Sequence, residues 1–137
     1  MAVAIPLQQS QLEEINRYLS TLTPEQILSW AIKNLPALHQ TTAFGLTGLA
    51  AVDMLSKLTP KPPPLIFIDT LYHFKETIDL KNEVERRYGH PVHVYQPMGA
   101  SSASEFESQY GEQLWETNDM LYDYLVKVGF AAQCLRL

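Results

Sequence analysis

The chain has 137 residues, a length suited to one domain rather than two. Its formal charge is −5, and Lys81 with Arg86 and Arg87 forms the only local basic cluster, which argues against a nucleic-acid binder. A single cysteine, Cys134, excludes an internal disulfide and a cysteine metal site, and histidines at 39, 73, 90 and 93 include no i,i+4 pair for a metal.

No window approaches the roughly 18 uninterrupted apolar residues of a membrane helix. Met1 to Pro6 lacks the basic region of a signal peptide. A soluble cytoplasmic protein with no membrane partner is the expectation.

Ser10 is expected to cap a helix through Gln11 to Leu19, with acidic residues in its first turns where the dipole favours them. Thr23-Pro24-Glu25-Gln26 is a stronger start: a capping threonine, proline at the first helical position and a glutamine placed for a capping box. That helix should run to about Asn34 and stop at Pro36. The two helices read as an N-terminal cap over residues 1–36.

From Ala37 the pattern changes. Leu38 to Ala43 reads as a short strand, Phe44 to Gly48 as a turn, and Leu49 to Leu58 as a helix with Leu49, Val52, Leu55 and Leu58 at near-helical spacing. The proline-rich run Thr59 to Pro64 is a rigid linker. Leu65 to Ile68 is uniformly apolar, as in a central parallel strand covered on both faces. Lys75 to Tyr88 is amphipathic and Gly89 stops it. Val92 to Tyr95 is a third strand, with the partial alternation of a sheet edge. Ser102 or Ser104 can cap a helix ending at Tyr110, and further short helix is expected at Leu114-Trp115 and from Met120 to Val126.

This order is two βαβ units. It predicts an α/β fold: an open parallel sheet of about three strands flanked by helices, with the helical cap in front. Ligands of such sheets bind at the C-terminal strand ends. Those ends are Thr41 to Gly45, Asp69-Thr70, and Tyr95 to Pro97.

The stretch Gln40 to Leu55 carries the best candidate site. A glycine-bearing loop that opens a helix presents free N–H groups and the positive end of the helix dipole, which together hold an anion such as phosphate. The same residues also suit a plain strand-to-helix connector. The loop matches neither the Walker pattern nor the dinucleotide fingerprint. Asp69 either caps the next segment or hydrogen-bonds the ribose or base of a ligand. Cys134 reads as incidental, since Arg136 is the only basic residue near it in sequence.

Taken together these motifs resemble the phosphoadenylyl-sulfate (PAPS) reductases, on the adenine-nucleotide α-hydrolase-like fold and related to the PP-loop ATP pyrophosphatases. The resemblance covers about residues 24–128. Trp30-Ala31 and Asn34-Leu35-Pro36 precede the first strand. Thr41 to Gly45 is similar to a modified PP-loop. Ile68-Asp69-Thr70 with Phe74 and Glu76-Thr77 is similar to the family's Asp-Thr-Gly-x-x-Phe-x-Glu-Thr block. Tyr110-Gly111 and Leu114-Trp115-Glu116 follow in the family's order, and Tyr124 to Val128 resembles the segment leading into Lys-Val-Glu-Pro.

The resemblance implies roles. Thr41, Thr42, Phe44, Gly45, Leu46, Thr47 and Gly48 would cradle the phosphosulfate or 5′-phosphate. Asp69 and Thr70 would line the adenosine pocket, with Phe74 near it. Tyr122 and Asp123 stand where the iron–sulfur adenylyl-sulfate reductases have paired cysteines, which implies the cluster-free class that uses PAPS. The implied reaction is thioredoxin-dependent reduction of PAPS to sulfite and adenosine 3′,5′-bisphosphate in sulfate assimilation, by a homodimer in the full-length enzymes. The chain departs from the pattern at Ala43, Gly48 and Leu71, the last where glycine is common.

A larger departure follows Val128. The family continues with Glu-Pro and a second half that carries the anion-gripping arginines and a Glu-Cys-Gly-x-His tail. Here Gly129 to Leu137 reads as a non-family tail, as in a truncated product. The expectations are a nucleotide-binding α/β domain at 37–128, no catalytic residue in this chain, and inactivity of the chain alone. The alternative is a non-catalytic nucleotide-binding fragment or pairing module.

Overall fold

The structure is a computed structural model, and it describes residues 7–128. Cys134 and the segment expected to leave the family pattern lie outside the described residues. Helix α1 (Gln9–Leu19) is capped by Gln8 rather than by Ser10, because the Gln11 side chain reaches back to accept the Gln8 N–H at 2.9 Å. Ser10 therefore lies within the first turn. Helix α2 (Pro24–Asn34) starts as its sequence predicts: Thr23 Oγ1 accepts from the Gln26 N–H and Gln26 Oε1 accepts from the Thr23 N–H.

Three parallel strands follow, β1 (Gln40–Thr41), β2 (Leu65–Ile68) and β3 (Val92–Tyr95), in the spatial order β1-β2-β3. Gln40 pairs with Leu65, and Leu65 with Val92. β1 is shorter than the expected Leu38 to Ala43. Before it, Ala37 adopts a left-handed φ of 49°. After it, Thr42 still donates to the Ile66 carbonyl, but its own hydroxyl accepts the Phe44 N–H at 2.9 Å and turns the chain away.

Helix α3 (Leu46–Leu58) joins β1 to β2, and α4 (Lys75–Tyr88) joins β2 to β3. α3 begins three residues before the expected Leu49, because the Gly45 carbonyl already accepts the Leu49 N–H at 2.9 Å. Gly48 thus sits in the first helical turn and not in the loop. α4 matches its predicted bounds and ends at Gly89 in the left-handed conformation, φ 65°.

Leu65 and Phe67 point to the same face of the central strand, where Val52 of α3 and Val84 of α4 meet them together with Phe44. Each such side chain, fully buried, stabilises the fold by about 1.5–3 kcal/mol. The opposite face of β2 is covered less completely. Ile66 is buried and Ile68 half-buried, and both border an open cavity of about 260 Å³. A second apolar cluster forms beyond β3. It combines Phe106 of α5 (Ala103–Tyr110), Leu114 of α6 (Leu114–Thr117) and Val126. Ser102, not Ser104, caps α5. Helix α7 (Asp119–Asp123) starts on the Asn118 side chain and continues into a π-helical turn, Tyr124–Val128.

Candidate functional site at the C-terminal strand ends

The three strand ends come together as the parallel topology requires. Thr42 donates its N–H to the Ile66 carbonyl at 2.9 Å, and Asp69 donates to the Tyr95 carbonyl at 2.8 Å. These bonds set the loops after β1, β2 and β3 side by side. The cavity of about 260 Å³ opens beside them, lined by Thr41, Thr42, Ala43, Ile66 and Ile68.

The loop after β1 is shaped from within. Thr42 Oγ1 holds the Phe44 N–H, and Phe44 takes a φ of 60°. A Cβ built on Gly48 would lie 2.7 Å from that same Oγ1, so the glycine makes room for the threonine. Gln40 reaches from β1 to the first turn of α3, donating from Nε2 to the Gly48 carbonyl at 3.0 Å. The N-cap of α3 is Gly45, which offers no side chain to the free first-turn N–H groups. Gly45, Leu46 and Thr47 are exposed, so those groups face solvent at the positive end of the helix.

The candidate residues divide by position. Thr41, Thr42, Gly45, Leu46, Thr47 and Gly48 share the loop and first turn. The Phe44 side chain does not join them: it is 4 % exposed and packs on Phe67 at 5.3 Å between centroids. Its backbone alone faces the loop. Phe74 has the opposite fate. It precedes α4 as N-cap and is 78 % exposed, so it is not the core residue its type favours.

Asp69 and Thr70 end β2. Asp69 Oδ1 accepts the Leu71 N–H at 2.9 Å, which is the turn-capping reading of this residue. Asp69 Oδ2 accepts from Gln96 Nε2 at 2.9 Å. Leu71 is held at φ 71°, where glycine carries no penalty. His73 Nε2 lies 3.0 Å from the Ile68 carbonyl and its ring packs on Phe67, which ties the 69–74 turn back to the strand. Burial, with the Glu107 carboxylate beside it, raises the Tyr72 phenol above its ordinary value.

Gln40 opens the candidate stretch and Gln96 lies within the Tyr95 to Pro97 strand end, but neither was given a role. Both were findable, since each sits at a strand position that the βαβ pattern brings to the loops. Basic residues are what the strand-end loops lack. None of the ten Lys and Arg residues falls within 41–48, 69–74 or 95–97. Lys75 is the nearest in sequence, and it pairs with Asp79 one turn along its own helix. Among the described residues no group of three or more His, Cys, Asp or Glu can hold a metal ion. No helix among them is long and apolar enough to cross a membrane.

Residues 37–136 match the phosphoadenosine phosphosulfate reductase domain family. The chain belongs to that family. The family match reaches past Val128, where the sequence was expected to leave the pattern. The chain is 53 % identical over 127 residues to phosphoadenosine phosphosulfate reductase of Saccharomyces cerevisiae, covering 88 % of this chain and 49 % of that protein. It is 49 % identical over 129 residues to the reductase of the same name from Emericella nidulans, covering 91 % and 42 %. The crystal structure of the PAPS reductase of Candida auris in a phosphate complex is similar with a TM-score of 0.88 and 46 % identity, over 99 % of this chain and 65 % of that one. The chain thus spans about half the length of these curated relatives. At this identity the three-stranded parallel sheet flanked by helices is that of the PAPS reductase fold.

Proposed function

We propose that this chain is the nucleotide-binding part of a PAPS reductase, with 1–36 as its helical cap and 37–128 as its α/β domain. In this reading the N–H groups and hydroxyls of Thr41 to Gly48 receive the 5′-phosphate or phosphosulfate. Asp69, Thr70 and Phe74 border the adenosine. The whole reaction reduces 3′-phosphoadenylyl sulfate to sulfite and adenosine 3′,5′-bisphosphate, with thioredoxin as reductant and no iron–sulfur cluster. It belongs to sulfate assimilation in the cytoplasm, in a homodimer. The catalytic cysteine is assigned to the family's Glu-Cys-Gly-x-His tail, which has no counterpart in these 137 residues.

The observation that carries this reading is the 46 % identity, over 99 % of the chain, to a PAPS reductase solved in a phosphate complex. The uncapped N-terminus of α3 supplies the matching chemistry for a phosphate. A second reading is a nucleotide-binding or pairing module without chemistry. It is favoured by the absence of Lys and Arg from the three strand-end loops.

Titration calorimetry with adenosine 3′,5′-bisphosphate tests the shared part of both readings. Wild type is expected to bind, and Gly45→Asp to bind at least about tenfold more weakly, since a carboxylate at the helix start repels the phosphate. Equal affinities, or no binding by wild type, contradict the site. The readings separate in a thioredoxin-coupled assay. The chain alone is expected to release no sulfite from PAPS, and turnover would overturn the assignment of the chemistry to the family's tail.

A further inference from the structure

Gln96 follows β3 and lies outside the motifs of the family resemblance. Its exposed side chain donates from Nε2 to Asp69 Oδ2 at 2.9 Å, across 27 residues of sequence. The other oxygen of that carboxylate accepts the Leu71 N–H at 2.9 Å. The Asp69 N–H in turn donates to the Tyr95 carbonyl at 2.8 Å. The backbone bond fixes where Asp69 stands, and the two side-chain bonds fix which way its carboxylate faces. That second constraint matters because the terminal torsion of an aspartate is broad and two-fold when left free. Leu71 sits at a left-handed φ of 71°, which is unfavourable for leucine, so the turn depends on its bond to Asp69. An amide suits this place, because it orients the carboxylate while adding no charge of its own.

We infer that Gln96 is a positioning residue. It locks the Asp69 carboxylate and, through Leu71, the 69–74 turn that carries Thr70 and Phe74. The consequence for nucleotide binding rests on the proposed function; the locking itself does not. Two variants test it: Gln96→Leu removes the donor, and Gln96→Lys restores one.

The first readout needs no ligand. Amide hydrogen exchange at Leu71 should quicken about tenfold in Gln96→Leu, as a bond to an ionised group is loosened. Exchange at Phe67 and the melting temperature should stay at wild-type values, and Gln96→Lys should return Leu71 towards wild type. The second readout is affinity for adenosine 3′,5′-bisphosphate, expected to fall about tenfold in Gln96→Leu and to be kept in Gln96→Lys. Unchanged Leu71 exchange in Gln96→Leu overturns the inference, even if affinity falls. So does faster exchange throughout the sheet with a lower melting temperature, which marks a purely structural contact. A responsive Leu71 in a wild-type protein that does not bind the bisphosphate upholds the positioning role and sinks the proposed function.

Discussion

His90 is buried with 0 % of its surface exposed, and among the described residues neither ring nitrogen has a hydrogen-bond partner of good geometry. Burial lowers its pKa below the ordinary histidine value, opposed by the nearby Pro63 backbone. The unfolded chain therefore binds a proton near pH 6.5 that the folded chain refuses. The contribution of this residue to stability is complete above about pH 6.5. It falls as pH drops towards the folded pKa, with a slope of at most about 1.4 kcal/mol per pH unit. Urea midpoints at pH 7.5 and 5.5 should show this loss in wild type, and His90→Leu should flatten it. An equal loss in the variant would place the sensitivity elsewhere. Gly48→Ala makes a second case at this scale. Alanine in place of glycine favours a helix by about 1 kcal/mol. The new Cβ, 2.7 Å from Thr42 Oγ1, forces that hydroxyl off the Phe44 N–H, a bond of similar worth. Stability should stay within about 1 kcal/mol of wild type while bisphosphate affinity falls. A full-affinity Gly48→Ala would show that the threonine bond does not shape the site. Sequence could not reveal this cost, because the clash is between residues whose approach only the turn creates. The turn at Phe44 was legible, but the burial of its ring against Phe67 was not, because only the fold brings the two together.

Elements were legible where a local signal and a tertiary need agreed. α4 has amphipathic spacing, a glycine stop and a sheet to pack on, and it spans Lys75–Tyr88 as read. β2 is a uniform apolar run between proline and aspartate, and it is the central strand. β1 was read too long, since its ends are set by the Ala37 turn and the Thr42 hydroxyl rather than by apolar pattern. The start of α3 was read late because its cap is a glycine with no side-chain signature. That feature gives a prediction opposite in sign for fold and function. Aspartate is a better N-cap than glycine by a few tenths of a kcal/mol. Among the described residues nothing lies within 4 Å of a Cβ at Gly45, so the side chain fits. Gly45→Asp should melt at or above the wild-type temperature even as bisphosphate affinity is lost. A lower melting temperature together with weaker binding would mean that the variant damages the fold rather than the anion site.

The whole molecule explains why the family was readable and its chemistry was not. The Thr41 to Gly45 and Ile68 to Thr77 blocks fall at the strand ends, and the later block reaches them where Trp115 packs on Tyr72. The charge of −5 and the lack of Lys and Arg in those loops leave the uncapped N-termini of α3 and α4 as sources of positive potential there. Among the described residues, five cations are instead held by carboxylates three or four residues away along the helix. A site of this kind orients a phosphate but grips it weakly, and its affinity should fall as salt is raised. Amide chemical shifts recorded while adenosine 3′,5′-bisphosphate is added test the central claim most directly. The account predicts saturable shifts at Gly45, Leu46, Thr47 and Gly48, with smaller ones at Thr70, while α1 stays unmoved. An unperturbed loop after β1, or shifts confined to surfaces away from the strand ends, would contradict it.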